Sequence, residues 1–448
     1  MPAFRAQPES PRAARTVANS MNFPKVMNRW LVVAGGIVVQ VCLGAIYAWS
    51  AFTAKLTAEP YAFSKTQTQV IFSVGLLTFA VVMLWAGRWQ RNSGPRVVAT
   101  TGGLILGLGY VVAGLGGTSF AVMLLGIGVL GGAGIGLAYV CPIAALVKWF
   151  PDKKGMITGL AVAGFGFGAL IWIKLTGGFV FGPVDLTPGW KGLYGMGWTV
   201  NNVFILYGIL FAVLVALGSL VLVNPPAGWQ PEGWTPPAAS AATGGVLYTP
   251  AEMRRTPQFW TLFTVFVVGS LAGLMVIGII SLFGIDALTG RGMPKEEAAV
   301  VAATAMGLFY ALCNGLGRII WGTISDSLGR KNSIALMSLI QGVMMILFFF
   351  IGGYEWGLYL GAALIGFNFG GNFALFPAAT ADLFGNMNIG INYPWVFLSY
   401  GVGGVLGPIL GGFMGDSGAW VWAFIPAGVA CIAAAGLALT LKPPTKAA

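Results

Sequence analysis

Twelve stretches of the chain are apolar for long enough to cross about 30 Å of hydrocarbon, with polar or turn-forming residues between them. They lie at 30–53, 68–87, 97–116, 120–147, 155–178 and 203–223, then at 258–284, 298–322, 333–352, 355–381, 389–412 and 418–441. Between the sixth and the seventh, NPPAGWQPEGWTPPAASAATGG holds too much Pro and Gly for a helix and reads as a linker. The pattern predicts an all-α membrane protein with twelve transmembrane helices in two pseudo-symmetric six-helix bundles. The bundles span 30–223 and 258–441, joined by a cytoplasmic linker at 224–257. Cytoplasmic tails at 1–29 and 442–448 flank them. The first twenty residues are polar and lack the apolar core of a signal peptide, so they read as tail, with Met21 or Met27 as alternative starts.

Composition supports the bilayer as solvent. Of the 448 residues 57% are hydrophobic and 8% charged, against about 25% charged in an ordinary soluble domain. Glycine, at 68 residues, suits helices that pack backbone to backbone in a membrane bundle. The chain has no histidine, which excludes a His-based triad, metal ligand or proton relay. Cys42, Cys141, Cys313 and Cys431 all fall inside apolar runs without CxxC pairing and read as small apolar side chains. Neither a cofactor nor a metal is expected.

The net charge of +11 changes the picture only through its distribution. The cations are scattered over loops instead of lining one face, so no nucleic-acid partner is expected. With both termini inside, 17 Lys and Arg residues fall on the cytoplasmic side and 6 outside (Lys55, Lys65, Lys174, Lys191, Arg291 and Lys295), leaving Arg318 alone within a helix. The positive-inside rule selects that orientation.

The two halves repeat. Gly87 opens GRWQRNSGPR and Gly322 opens GTISDSLGRK, 235 residues later; Pro142 and Pro377, in two other helices, are also 235 apart. Parallel halves of this kind place a substrate site at their interface near the bilayer midplane. The G-x₃-D-x₂-G-R-K run at Gly322–Lys331 resembles the loop signature of the major facilitator superfamily, a short charged turn braced by Asp326 against neighbouring helix ends. The first-half copy has Arg91 where the acid would stand. Four further stretches carry a narrower resemblance: RWLVVAGG…LGAIYAWSAF (30–52), GIGLAYV…KWFPDKKGMITGLAVAGFGFGA (134–169), VNPPAGWQPEGWTPP (223–237) and GRIIWGTISDSLGRKNS (317–333). Together they resemble the oxalate/formate antiporter family, close to the bacterial monocarboxylate transporters. That resemblance implies a functional monomer in the bacterial inner (plasma) membrane, carrying a small carboxylate anion with H+ as co-substrate.

Arg318 is the sharpest candidate for the site. An Arg at a helix centre costs about 2.5–3.5 kcal/mol even on the lenient insertion scale, so such residues usually serve function. Asn314 and Tyr310 precede it at four-residue spacing, making a slowly drifting polar stripe. A guanidinium offers a planar fork suited to a carboxylate. The alternative is that Arg318 snorkels to the inner interface, although eight residues separate it from Asp326, about 12 Å of helix. In the resembling antiporters an Arg on the eighth helix and a Lys on the eleventh bind the two carboxylates of a dianion. Arg318 matches the first; 391–408 holds no Lys, and Tyr400 stands near that place. One cation for one carboxylate favours a monoanion such as lactate, acetate or formate, with an oxalate/formate-type antiporter as the alternative. The monocarboxylate transporters commonly carry Asp where this chain has Asn314, and no other mid-membrane acid offers itself as a proton carrier.

Tyr139, Tyr400, Asn372 and Tyr47 complete the candidate substrate-binding set, with Gln40, Trp49 and Asn368 beside them; for each, packing or an interface belt is the competing reading. Glycines spaced by four on the fourth, fifth and eleventh helices, among them Gly164 and Gly168, let backbones approach closely and mark these as the gating helices of a rocking transporter. No nucleophile–base pair or phosphate-binding loop suggests an enzyme, and the two-fold repeat favours alternating access over a channel. The loop at 179–202 reads equally as a lid or as filler.

Overall fold

The computed structural model describes residues 27–150, 154–177, 180–181, 184–185, 191–226, 229–231, 233, 247–385 and 388–444. The expected tail through residue 26, most of the linker and the middle of the 179–202 loop lie outside them. Twelve helices are long and apolar enough to cross a membrane. In chain order they are α1 (Arg29–Leu56), α2 (Lys65–Ser93), α3 (Pro95–Leu115), α4 (Phe120–Trp149), α5 (Lys154–Gly177), α6 (Val200–Ser219), α7 (Pro257–Thr289), α8 (Lys295–Leu328), α9 (Arg330–Ile351), α10 (Glu355–Phe384), α11 (Ile389–Asp416) and α12 (Val421–Ala438). A two-residue β-hairpin, β1 (Val180–Phe181) against β2 (Val184–Asp185), sits in the loop after α5.

Local chemistry sets the helix ends. Ser64 and Gln67 form a reciprocal capping box at the start of α2, satisfying two otherwise unpaired backbone donors. Pro95 and Pro257 occupy first-turn positions, where the missing N–H costs nothing. The main departure from the sequence reading is at the two loop signatures. α2 and α8 run on through them, to Ser93 and Leu328, and the turn shrinks to one glycine each. Gly94 and Gly329 sit at φ +81° and +82°, a backbone conformation that side chains resist, and they are 235 residues apart.

The repeat extends to packing. Within the first half α1 packs on α5, α2 on α4 and α3 on α6; within the second α7 packs on α11, α8 on α10 and α9 on α12. The halves meet along two long seams, α2 with α11 and α5 with α8, which the same offset interconverts. Exposed Ile209, Val213 and Leu217 on α6, and Leu336, Leu339, Val343 and Leu347 on α9, recur at three- and four-residue spacing and make lipid-facing stripes. Buried polar residues at the α5–α8 seam include Arg318, Asn314 and Lys174.

Glycines at the seams permit the closest approach. A Cβ on Gly166 of α5 would stand 2.7 Å from Asn314 Oδ1 and 2.9 Å from Gly315 Cα of α8; one on Gly401 of α11 would stand 2.7 Å from Ala80 Cβ of α2. Gly166 and Gly401 are 235 apart, as are Ala80 and Gly315. Gly164 and Gly168, read from their spacing as close-approach positions, abut α1 within their own half.

Candidate functional site

Arg318 lies in α8 where that helix crosses α5 and α10, and it is fully buried. Its Nη1 donates to the Val162 carbonyl of α5 at 2.9 Å and its Nε to Asn314 Oδ1 at 3.2 Å. The guanidinium carbon stands 4.1 Å from the ring centre of Phe373 and 5.6 Å from that of Phe165. Those contacts hold the charge from the aromatic faces, and burial rules out snorkelling to the interface. Nη2 of Arg318 and Nδ2 of Asn314 are buried without hydrogen-bond partners. A buried donor left unpaired costs about 1–3 kcal/mol, more when charged, which makes these two atoms the candidate donors to a bound acceptor.

Tyr47, Tyr139 and Tyr400 converge on the same place. Tyr47 and Tyr400 share a hydroxyl–hydroxyl hydrogen bond of 3.0 Å, joining α1 to α11 across the two halves. The Tyr47 and Tyr139 hydroxyls lie close enough to interact with the guanidinium. Tyr47 rides on a 3₁₀ turn, Gly44–Ala48, inside α1. There α1 touches α5 so closely that a Cβ on Gly44 would fall 2.1 Å from the Phe165 carbonyl oxygen.

The remaining candidates are placed otherwise. Asn372 hydrogen-bonds the Phe369 carbonyl of its own helix and faces Gly269 of α7, so no contact brings it to Arg318. Tyr310 ends a π-helical turn, Ala305–Tyr310, and donates to the Gly273 carbonyl of α7. Asn368 accepts from Trp321, Trp49 donates to the Thr68 carbonyl and Gln40 donates to the Tyr139 carbonyl, while Gln40 Oε1 and Asn368 Nδ2 are buried without a partner.

Two features escaped the sequence reading. The first is an aromatic wall from both halves: Phe79, Phe165 and Phe397 each pack within 6 Å of Tyr139, and Phe397 stacks on Tyr400 at 4.8 Å. Single phenylalanines in apolar helices carry no signal of such convergence. The second is Lys174, counted among the outer cations but only 3% exposed. It lies on α5 with its stem against Gly307 in the π-helical turn of α8, and its position four residues from the end of an apolar run was the available hint.

The site is closed on both faces: Arg318, Asn314, Tyr47, Tyr139 and Tyr400 are each at most 2% exposed. On the face away from the termini, Lys65 Nζ of α2 pairs with Asp286 of α7 at 2.7 Å. Asp416 at the end of α11 accepts from the Lys65 and Thr66 backbone N–H groups, an anion set on the N-terminus of α2. On the terminal face Arg330 bridges Asp326 of α8 and Asp382 of α10 at 2.8 and 3.0 Å. Asp326 thus braces the turn against a neighbouring helix end through Arg330.

The chain is similar to several known proteins. The uncharacterized MFS-type transporter YhjX of Escherichia coli is 29% identical over 84% of this chain and 86% of its own. Apicoplast pyruvate carrier 1 of Toxoplasma gondii is 28% identical over 87% and 84%, and the oxalate:formate antiporter of Oxalobacter formigenes 24% over 93% and 92%. A bacterial homologue of the human lysosomal transporter Spinster, solved inward-facing and unoccupied, superposes with a TM-score of 0.62 at 16% identity, covering 92% of this chain and 96% of that one. The family model of the Major Facilitator Superfamily matches residues 35–391 and 298–448. Twelve spanning helices, a repeated half and a buried polar site between the halves are therefore the features of a non-enzymatic transporter, and the chain belongs to the Major Facilitator Superfamily.

Proposed function

We propose that the protein carries small organic monocarboxylates by alternating access, with Arg318 as the carboxylate ligand and both termini cytoplasmic in a plasma membrane. The observation that carries this reading is the pair of buried, unpartnered donors, Arg318 Nη2 and Asn314 Nδ2. A carboxylate accepts from both while the Tyr47–Tyr400 hydroxyls and Tyr139 close around it. The rest of the wall is aromatic, which suits a short apolar tail. That two similar proteins are named for pyruvate and for oxalate and formate supports a small carboxylate.

Size discriminates against a dianion held at both ends. Lys174, the other buried cation at this seam, lies beside Gly307, eleven residues along α8 from Arg318. That is about 16 Å at 1.5 Å per residue, far beyond the two carboxylates of oxalate. Coupling follows from charge. Arg318 has no carboxylate partner among the described residues, so the empty carrier must reorient around a bare buried cation, whereas the loaded one is neutral there. Exchange of one anion for another is then faster than net uptake, and a proton, where net transport occurs, travels with the substrate. Counterflow in proteoliposomes tests this: trans-loaded pyruvate or formate accelerates labelled uptake at least about tenfold over empty vesicles. Equal rates with and without trans anion would contradict it.

A further inference from the structure

The second seam carries a different site. Where α2 and α11 separate toward the terminal face, a cavity of about 760 Å³ opens, lined by Trp85, Arg88, Arg91 and Asn92 from α2 and by Pro394 and Trp395 from α11. Arg254, from the short helix Pro250–Arg254 before α7, stacks on Trp395 at 4.0 Å and adds a third guanidinium at the rim. Among the described residues none of these three arginines is paired with a carboxylate. The repeat shows how unusual that is. Subtracting 235 from Asp326, Arg330 and Asp382, the ion-paired brace of the other half, gives Arg91, Pro95 and Val147. Both acids are gone and a cation stands in place of one.

The cavity faces lipid. Trp85 is 59% exposed, and Leu77 two turns deeper on α2 is exposed with it; on α11 Val402 and Leu406 continue the same apolar wall. A headgroup-level tryptophan with arginines toward the water and aliphatic side chains toward the bilayer centre has the profile of a phospholipid, not of a soluble ion. We infer that this groove binds one anionic glycerophospholipid, its phosphate between Arg88 and Arg91 and its acyl chains lying along the open side of the α2–α11 seam. The lipid spans residues of both halves, so it bears on the seam that the transport cycle must shear. This inference is independent of the carboxylate reading at Arg318.

Native mass spectrometry of detergent-purified protein tests it, with phosphatidylglycerol, phosphatidylethanolamine and inorganic phosphate as probes. The wild type should retain one phosphatidylglycerol in preference to phosphatidylethanolamine, and Arg88→Gln/Arg91→Gln should retain it about tenfold less. Arg96→Gln/Lys331→Gln, which removes two exposed charges elsewhere on the same face, should stay within twofold of wild type. Trp85→Ala, with all charges kept, should lose two- to fivefold and supplies the reading if the double variant fails to fold. Equal retention of both lipids, equal loss in the two double variants, or displacement of the lipid by millimolar inorganic phosphate would overturn the inference.

Discussion

The α5–α8 and α2–α11 seams are two copies of one construction. Each is closed by a glycine on the fifth helix of a half, Gly166 of α5 or Gly401 of α11, set against a small residue on the second helix of the other half, Gly315 of α8 or Ala80 of α2. Their chemistry diverges at equivalent positions. Arg318 and Val162 meet in the first seam by a hydrogen bond; the offset carries them to Met83 and Phe397 in the second, both apolar and buried. At the terminal face the polarity reverses, with an ion-paired Asp326 in one seam and an unpaired Arg91 in the other. Packing geometry is thus shared, whereas charge is assigned seam by seam: one holds a cation at depth for a small anion, the other holds cations at the surface.

Substitutions at equivalent positions separate these roles, beginning with the largest effect. Arg318→Ala should lower carboxylate exchange on the order of 100-fold or more, because charge-assisted hydrogen bonds of about 1.5–3 kcal/mol each are lost, while Met83→Leu at the matching position stays within twofold. Comparable losses in initial-rate assays of both would dissolve the distinction. Next, Gly166→Ala and Gly401→Ala should destabilise to a similar degree, about 1–3 kcal/mol for an overpacked contact. Only Gly166→Ala displaces the Asn314 amide, so only it should weaken binding, by about tenfold in a ligand titration.

Tyr400→Phe strands the Tyr47 hydroxyl and should weaken binding two- to tenfold, the scale of one neutral hydrogen bond at about 0.5–1.5 kcal/mol. The smallest effect belongs to Asn372→Ala. With its amide turned to α7, the change should leave affinity within twofold and show itself only as a lower melting temperature. A tenfold loss of affinity there would mean that the site extends across α10 to α7.

How much of this was legible differs between fold and site. All twelve helices follow from apolar run length, because the bilayer enforces a minimum span that the sequence must declare. The ends of α2 and α8 were misplaced, since charged residues such as Arg91 and Asp326 end an apolar run without ending a helix; only Gly94 and Gly329 do that. Arg318 was legible because a cation in an apolar run is costly wherever it points. Tyr47, Tyr139 and Tyr400 could be named but not joined, as their meeting depends on contacts between helices from both halves. Asn372 shows what helical periodicity leaves open: a polar side chain on α10 can turn to α7 or to α8, and its contact with Gly269 puts it toward α7. Lys174 was hidden by its nearness to a loop.

The most direct test of a single-carboxylate site at Arg318 is thermal stabilisation of the purified protein by formate, acetate, lactate, pyruvate and oxalate, comparing wild type with Arg318→Ala. A one-cation site requires that monocarboxylates raise the melting temperature of the wild type, that oxalate adds nothing beyond a matched monocarboxylate, and that Arg318→Ala loses every shift. Retention of the shifts by Arg318→Ala, or a clear preference for oxalate in the wild type, would contradict it.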